Sequence, residues 1–109
     1  MAAYWIVRVN VLNAEKIQAY APLAAAAVEA LGGKYLARGG SYDTKEGAEY
    51  VRNVVVEWPS LEAAQQAYDS PEYKRALDAL DDTDAISHAE KRMVFIQLQD
   101  PSTIAYNEC

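Results

Sequence analysis

The segment Tyr50–Trp58, YVRNVVVEW, constrains the fold more than any other part of the chain. Its β-branched residues favour an extended backbone, in which successive side chains point to opposite faces of a sheet. Both faces are apolar here: Val51 and Val55 lie on one, Val54, Val56 and Trp58 on the other. A strand that is apolar on both sides needs cover on both. The chain must therefore build a sheet with a layer on each face, or recruit one of those layers from a partner.

The flanking segments supply the first layer. Tyr4–Val11 alternates, with Trp5, Val7, Val9 and Val11 on one face and Tyr4, Ile6, Arg8 and Asn10 on the other. Asn13 then reads as an N-cap, with Glu15 in the first turn where the helix dipole favours an anion. Ile17, Tyr20, Ala21, Ala24, Ala27, Val28 and Leu31 recur at helical spacing, and Gly32-Gly33 closes the helix. Pro22 inside it predicts a kink or a displaced first turn. Lys34–Arg38 makes a second strand, and the polar loop through Thr44-Lys45-Glu46-Gly47 is short enough for an antiparallel hairpin to the third.

Pro59 stops that third strand and Ser60 caps the next helix, carrying Leu61, Ala64 and Tyr68 on one face. Ser70-Pro71 restarts the helix, with Tyr73, Ala76, Leu77 and Leu80 continuing the stripe. Asp81-Asp82-Thr83-Asp84 interrupts it. A short helical piece over Ala85–Lys91, a fourth strand over Met93–Leu98 and a surface arm from Asp100 complete the chain. The order is β-α-β-β-α-β, an α+β, ferredoxin-like arrangement in one domain over residues 1–99, with a tail at 100–109. Its helices cover one face of the sheet. Sheet-to-sheet homodimerisation would cover the other.

Composition supports a second subunit. Apolar residues make up 51% of the chain, but 20 of them are alanine, and Leu, Ile, Val and Phe together number 23. Seven of the alanines lie between Ala19 and Ala30, where small side chains either bring the helix close to the sheet or leave room for a ligand. The net charge of −6 comes without a basic face, which argues against nucleic-acid binding. The uncharged stretch Ile17–Val28 is too short to span a membrane, and Arg8 interrupts the N-terminal apolar run, so no signal peptide is expected there. One cysteine, Cys109, leaves no internal disulfide, so a cytoplasmic location is expected.

Four segments resemble a known family. They are Tyr4-Trp5-Ile6-Val7, Lys34-Tyr35-Leu36-Ala37-Arg38-Gly39-Gly40, the run from Val54 through Pro59-Ser60 to Ala64, and Tyr68-Asp69-Ser70-Pro71-Glu72-Tyr73. Together they are similar to the family known as domain of unknown function 1330, within the dimeric α+β barrel superfamily. The resemblance covers residues 4–77; beyond Leu77 the acidic stretch and the His88 segment look longer than the family's usual run. It implies a homodimer whose two sheets face each other with helices outside. The superfamily includes cofactor-free oxygenases, polyketide cyclases, muconolactone-type isomerases and haem-binding members. The resemblance carries the fold further than the activity.

Candidate chemistry rests on few residues. Arg8, Arg38 and Arg52 fall on strands, where a guanidinium is costly to bury alone and suited to carboxylate or enolate recognition. The competing reading is ion pairing with Glu49, Glu57 or a partner subunit. Tyr73 could polarise a carbonyl or donate a proton, with Tyr20, Tyr68 and Trp58 as further pocket walls; the same side chains at this spacing also make an ordinary core. His88, the single histidine, could act as a general base or simply be exposed, and one histidine does not make a zinc site. The aspartates at 78–84 lack a glycine-containing calcium loop, and neither a phosphate loop nor a nucleophile elbow is present. Two functions follow. One is a cofactor-independent cyclase, isomerase or oxygenase acting on a compact carbonyl or polyketide-like compound, with Arg38, Tyr73 and His88 in catalysis. The other is a noncatalytic ligand-binding or interaction dimer.

Overall fold

A computed structural model describes residues 1–81 and 89–98. The elements are β1 (Ala3–Val11), α1 (Ala14–Ala30), β2 (Lys34–Arg38), β3 (Arg52–Trp58), α2 (Leu61–Tyr68), α3 (Pro71–Leu80) and β4 (Ala89–Gln97). The strands form one antiparallel sheet in the order β2-β3-β1-β4, the ferredoxin-like α+β topology expected from the sequence. Each helix starts on a side-chain cap. Asn13 accepts from the Lys16 N–H at 3.2 Å, Ser60 from Ala63 at 3.0 Å and Ser70 from Tyr73 at 3.1 Å.

Three local expectations change. α1 runs unbroken through Pro22 and begins directly after the Asn13 cap, so the first turn is not displaced. Pro22 and Gln18 are both exposed, and water can take the Gln18 carbonyl that proline leaves unpaired. β3 begins at Arg52 rather than Tyr50, because the Asn10 side chain takes over the backbone just upstream. Its Nδ2 donates to the Glu49 carbonyl at 2.8 Å and its Oδ1 accepts from the Val51 N–H at 3.0 Å. Residues 89–91, assigned by spacing to a helical piece, belong to β4. The nine-residue β1 offers ladder partners down to Val11, opposite Ala89. The rest of that piece, Asp82–Asp84 and the C-terminal arm lie outside the described residues.

The core lies between the helices and one face of the sheet. Trp5, Val7 and Val9 of β1 stand beside Val54, Val56 and Trp58 of β3, and beside Met93 and Phe95 of β4. Trp5 and Trp58 pack with ring centroids 4.8 Å apart, and the Trp5 indole donates to the Ala64 carbonyl at 3.1 Å, tying β1 to α2. Gly33 is needed where it stands: a Cβ there would come within 2.8 Å of the Trp58 ring. Among the described residues the opposite face carries no helix. Val55, Ile6 and Val94 form an apolar row across it, with Val94 53% and Ile96 48% exposed. The described residues thus cover one of the two faces that the third strand requires.

Candidate functional site

The pairing of β2 with β3 slips by one residue between Tyr35 and Ala37, a bulge at Leu36. Plain alternation would send Tyr35 and Arg38 to opposite faces, since three positions separate them. The bulge returns both to the helix side, opposite Val56 and Val54. Arg38 then lies over the Tyr35 ring, its guanidinium carbon 4.7 Å from the centroid. Arg52 pairs with Val9 and shares that face. Gly39, at φ +74°, turns the chain away beside the Arg52 guanidinium, in a conformation that favours glycine. Among the described residues neither arginine has a carboxylate at ion-pair distance; the two ion pairs are Lys16–Asp81 and Lys45–Asp43.

The helices bring two tyrosines to the same space. Ser70 donates to the Ala67 carbonyl at 2.6 Å while accepting from the Tyr73 N–H, so the cap between α2 and α3 fixes where Tyr73 begins its descent into the core. Tyr20 reaches it from α1, and the two hydroxyls lie 2.5 Å apart. Lys91, on β4, donates to both, at 3.0 Å to Tyr20 and 2.8 Å to Tyr73. Burial pushes the Tyr20 phenol up to about 12, against the opposing pull of its hydrogen bond to Tyr73. Tyr73 is raised as well, chiefly by burial and then by its neighbour Tyr20. Burial also raises Tyr35, while Arg38 and Arg52 work against it. Near neutral pH these phenols are hydrogen-bond donors, not bases.

Arg38, Arg52, Tyr20 and Tyr73 line one cavity between α1 and the sheet, with Tyr35 at its side and Val7, Val9 and Val54 among its apolar walls. Its volume is about 50 Å³, room for roughly three to five water-sized groups. The remaining candidates lie elsewhere. Arg8 is on the helix-free face, donating to Asn53 Oδ1 at 3.0 Å and lying over the Tyr50 ring at 4.7 Å. Trp58 is fully buried against Trp5, its indole N–H without a hydrogen-bond partner among the described residues. Tyr68 lines a separate depression with Leu77, Leu80, Lys91 and Met93. His88 lies outside the described residues.

Lys91 is the polar group that sequence reasoning missed. The signal was present: Lys91, Met93 and Phe95 alternate onto one face once the fourth strand is extended back to Ala89. Among the described residues no cluster of His, Cys, Asp or Glu side chains is placed to hold a metal ion. No described helix is long and apolar enough to cross a membrane.

Comparison with known proteins agrees with this architecture. Among curated proteins none matches the chain. Solved structures do. A protein of unknown function, RPA0582 from Rhodopseudomonas palustris, superposes with a TM-score of 0.70 at 18% identity, over 92% of this chain and 84% of that one. SnoaB, a cofactor-independent oxygenase from Streptomyces nogalater, gives 0.58 at 15% identity, over 91% and 94%. Rv0793 from Mycobacterium tuberculosis gives 0.54 at 16% identity, over 94% and 100%. At these identities the likeness is one of fold. The profile of the family described as Domain of unknown function (DUF1330) matches residues 2–97. The matched residues take in the four described strands and the three described helices, and the chain belongs to the DUF1330 family.

Proposed function

We propose that this chain is a cytoplasmic homodimer in which each protomer keeps a helix–sheet cavity for a compact carbonyl compound, and that cyclase, isomerase or oxygenase chemistry proceeds there without a cofactor. The convergence of Arg38, Arg52, Tyr20 and Tyr73 on one cavity carries this reading. Arg38 and Arg52 would stabilise negative charge developing on the bound compound, as preorganised cations do. Tyr73, kept protonated by burial, would donate to a carbonyl or enolate oxygen. The likeness in fold to a cofactor-independent oxygenase supports the reaction class. The helix-free sheet face, with its row Val55–Ile6–Val94, supports the dimer.

One observation favours the noncatalytic alternative. No carboxylate or histidine lines the cavity among the described residues, and both phenols are held protonated, so none of these groups is a base at neutral pH. His88, directly before β4 in the sequence, is the proton acceptor that catalysis would call on. The test is thermal stabilisation by a panel of compact carbonyl compounds. The proposal expects compounds that raise the Tm of the wild-type chain and leave Arg38→Ala unmoved, with identical stoichiometry by light scattering. Equal stabilisation of both chains would remove the cavity from the account. Turnover that disappears in His88→Ala decides between enzyme and binder.

A further inference from the structure

The Tyr20–Tyr73 pair leaves one proton without a destination. Two hydroxyls bring two protons, and a single hydrogen bond joins them. Lys91 donates to both oxygens and so accepts from neither. One phenolic O–H therefore has no acceptor among the described residues, although Tyr73 is 2% exposed and both side chains line the cavity. A buried donor of this kind is costly to leave unmatched. By taking up the oxygen lone pairs, Lys91 also turns the remaining O–H away from itself.

The other side of the cavity has the opposite need. Arg38 and Arg52 bring two permanent positive charges with no carboxylate partner among the described residues. Arg52, Val9 and Lys91 occupy one cross-strand row, so the Arg52 and Lys91 backbones stand two strand spacings apart, about 10 Å. Valine side chains form the floor between them.

We infer that the cavity selects a short-chain oxo acid: its carboxylate at Arg38 and Arg52, its keto oxygen accepting the free phenolic proton, and its alkyl part on Val7, Val9 and Val54. This rests on the reading of the cavity as a ligand site. Arg38 is exposed, so the carboxylate sits at the mouth and the interior of the cavity need hold only the carbonyl and alkyl atoms. Lys91 is a positioning residue, acting through the two phenols.

The test is calorimetric titration of the full chain with a matched series: 2-oxobutanoate, butanoate, which lacks the oxo group, and 2-butanone, which lacks the acid. The inference expects 2-oxobutanoate to bind at least tenfold more tightly than either. Tyr73→Phe should reduce its affinity to that of butanoate, and Arg52→Gln to that of 2-butanone. Butanoate binding as tightly as 2-oxobutanoate would mean that a water satisfies the phenol, and would overturn the inference. So would equal binding of 2-butanone. The wild-type series decides this even where a variant folds poorly. If 2-oxobutanoate does not bind while an uncharged carbonyl compound still stabilises wild type over Arg38→Ala, the oxo-acid class fails and the cavity stands. If no compound discriminates those two chains, the cavity reading fails with it.

Discussion

Arg38 lies over the ring of Tyr35, 4.7 Å from its centroid, although the two residues are an odd number of positions apart on the same strand. One extra residue, Leu36, makes this possible. Without the bulge the strand would show Arg38 to the helix-free face, beside Asn53 and Arg8, and the cavity would keep a single guanidinium. The cationic mouth of the site is thus a consequence of local backbone irregularity in a short edge strand.

The two core tryptophans should respond differently to the same substitution. Trp5 donates to the Ala64 carbonyl, whereas the buried Trp58 indole N–H has no partner among the described residues. Trp5→Phe loses packing and a hydrogen bond; Trp58→Phe loses packing and removes an unmatched donor. Urea denaturation should find Trp5→Phe the more destabilising by about 1 kcal/mol. Equal losses would contradict this assignment of partners.

The buried phenols predict an alkaline limit to stability. Tyr20 is raised to about 12 in the folded chain, against an ordinary value of 10.0. Below pH 10 both folded and unfolded chains keep the proton, and the contribution is fully present. Between pH 10 and 12 the unfolded chain releases a proton that the folded chain retains, so stability falls as pH rises, by roughly 3 kcal/mol for Tyr20. Tyr73 acts in the same direction. Tyrosinate absorbance should show these phenols ionising only as the chain unfolds. Complete titration at pH 11 with native circular dichroism would contradict it.

The helix-free face should hold the dimer together. Ile6 stands at its centre between Val55 and Val94. A lysine at Ile6 or Val94 would put a charge into a dry interface, and each variant should run as a monomer by light scattering at micromolar concentration with unchanged secondary structure. A wild-type monomer, or variants that remain dimeric, would place the contact elsewhere or nowhere.

Most of the fold was legible because its signals are local. Alternation in Tyr4–Val11, the caps at Asn13, Ser60 and Ser70, and the prolines at 59 and 71 each announce an element within a few residues. The site was legible in part. Tyr20 and Tyr73 follow from helical periodicity, but Arg38 reaches the cavity through a bulge, which alternation alone does not reveal. Arg8 and Arg52 look alike in sequence; cross-strand register sends them to opposite faces, one beside Asn53 and the other beside Val9. Lys91 was hidden by a misplaced strand start, since a helical reading of residues 89–91 obscures its alternation with Met93 and Phe95.

On this proposal the helix–sheet cavity bounded by Arg38, Arg52, Tyr20 and Tyr73 is where the chain meets its ligand. The most direct test is a chemical-shift map, by amide and side-chain correlation spectra, of the chain titrated with compact carbonyl compounds. The account predicts perturbations centred on Trp5, Tyr20, Arg38, Arg52 and Tyr73 that vanish in Arg38→Ala. Perturbations centred on Ile6, Val55 and Val94, or a spectrum that no compound moves, would contradict it.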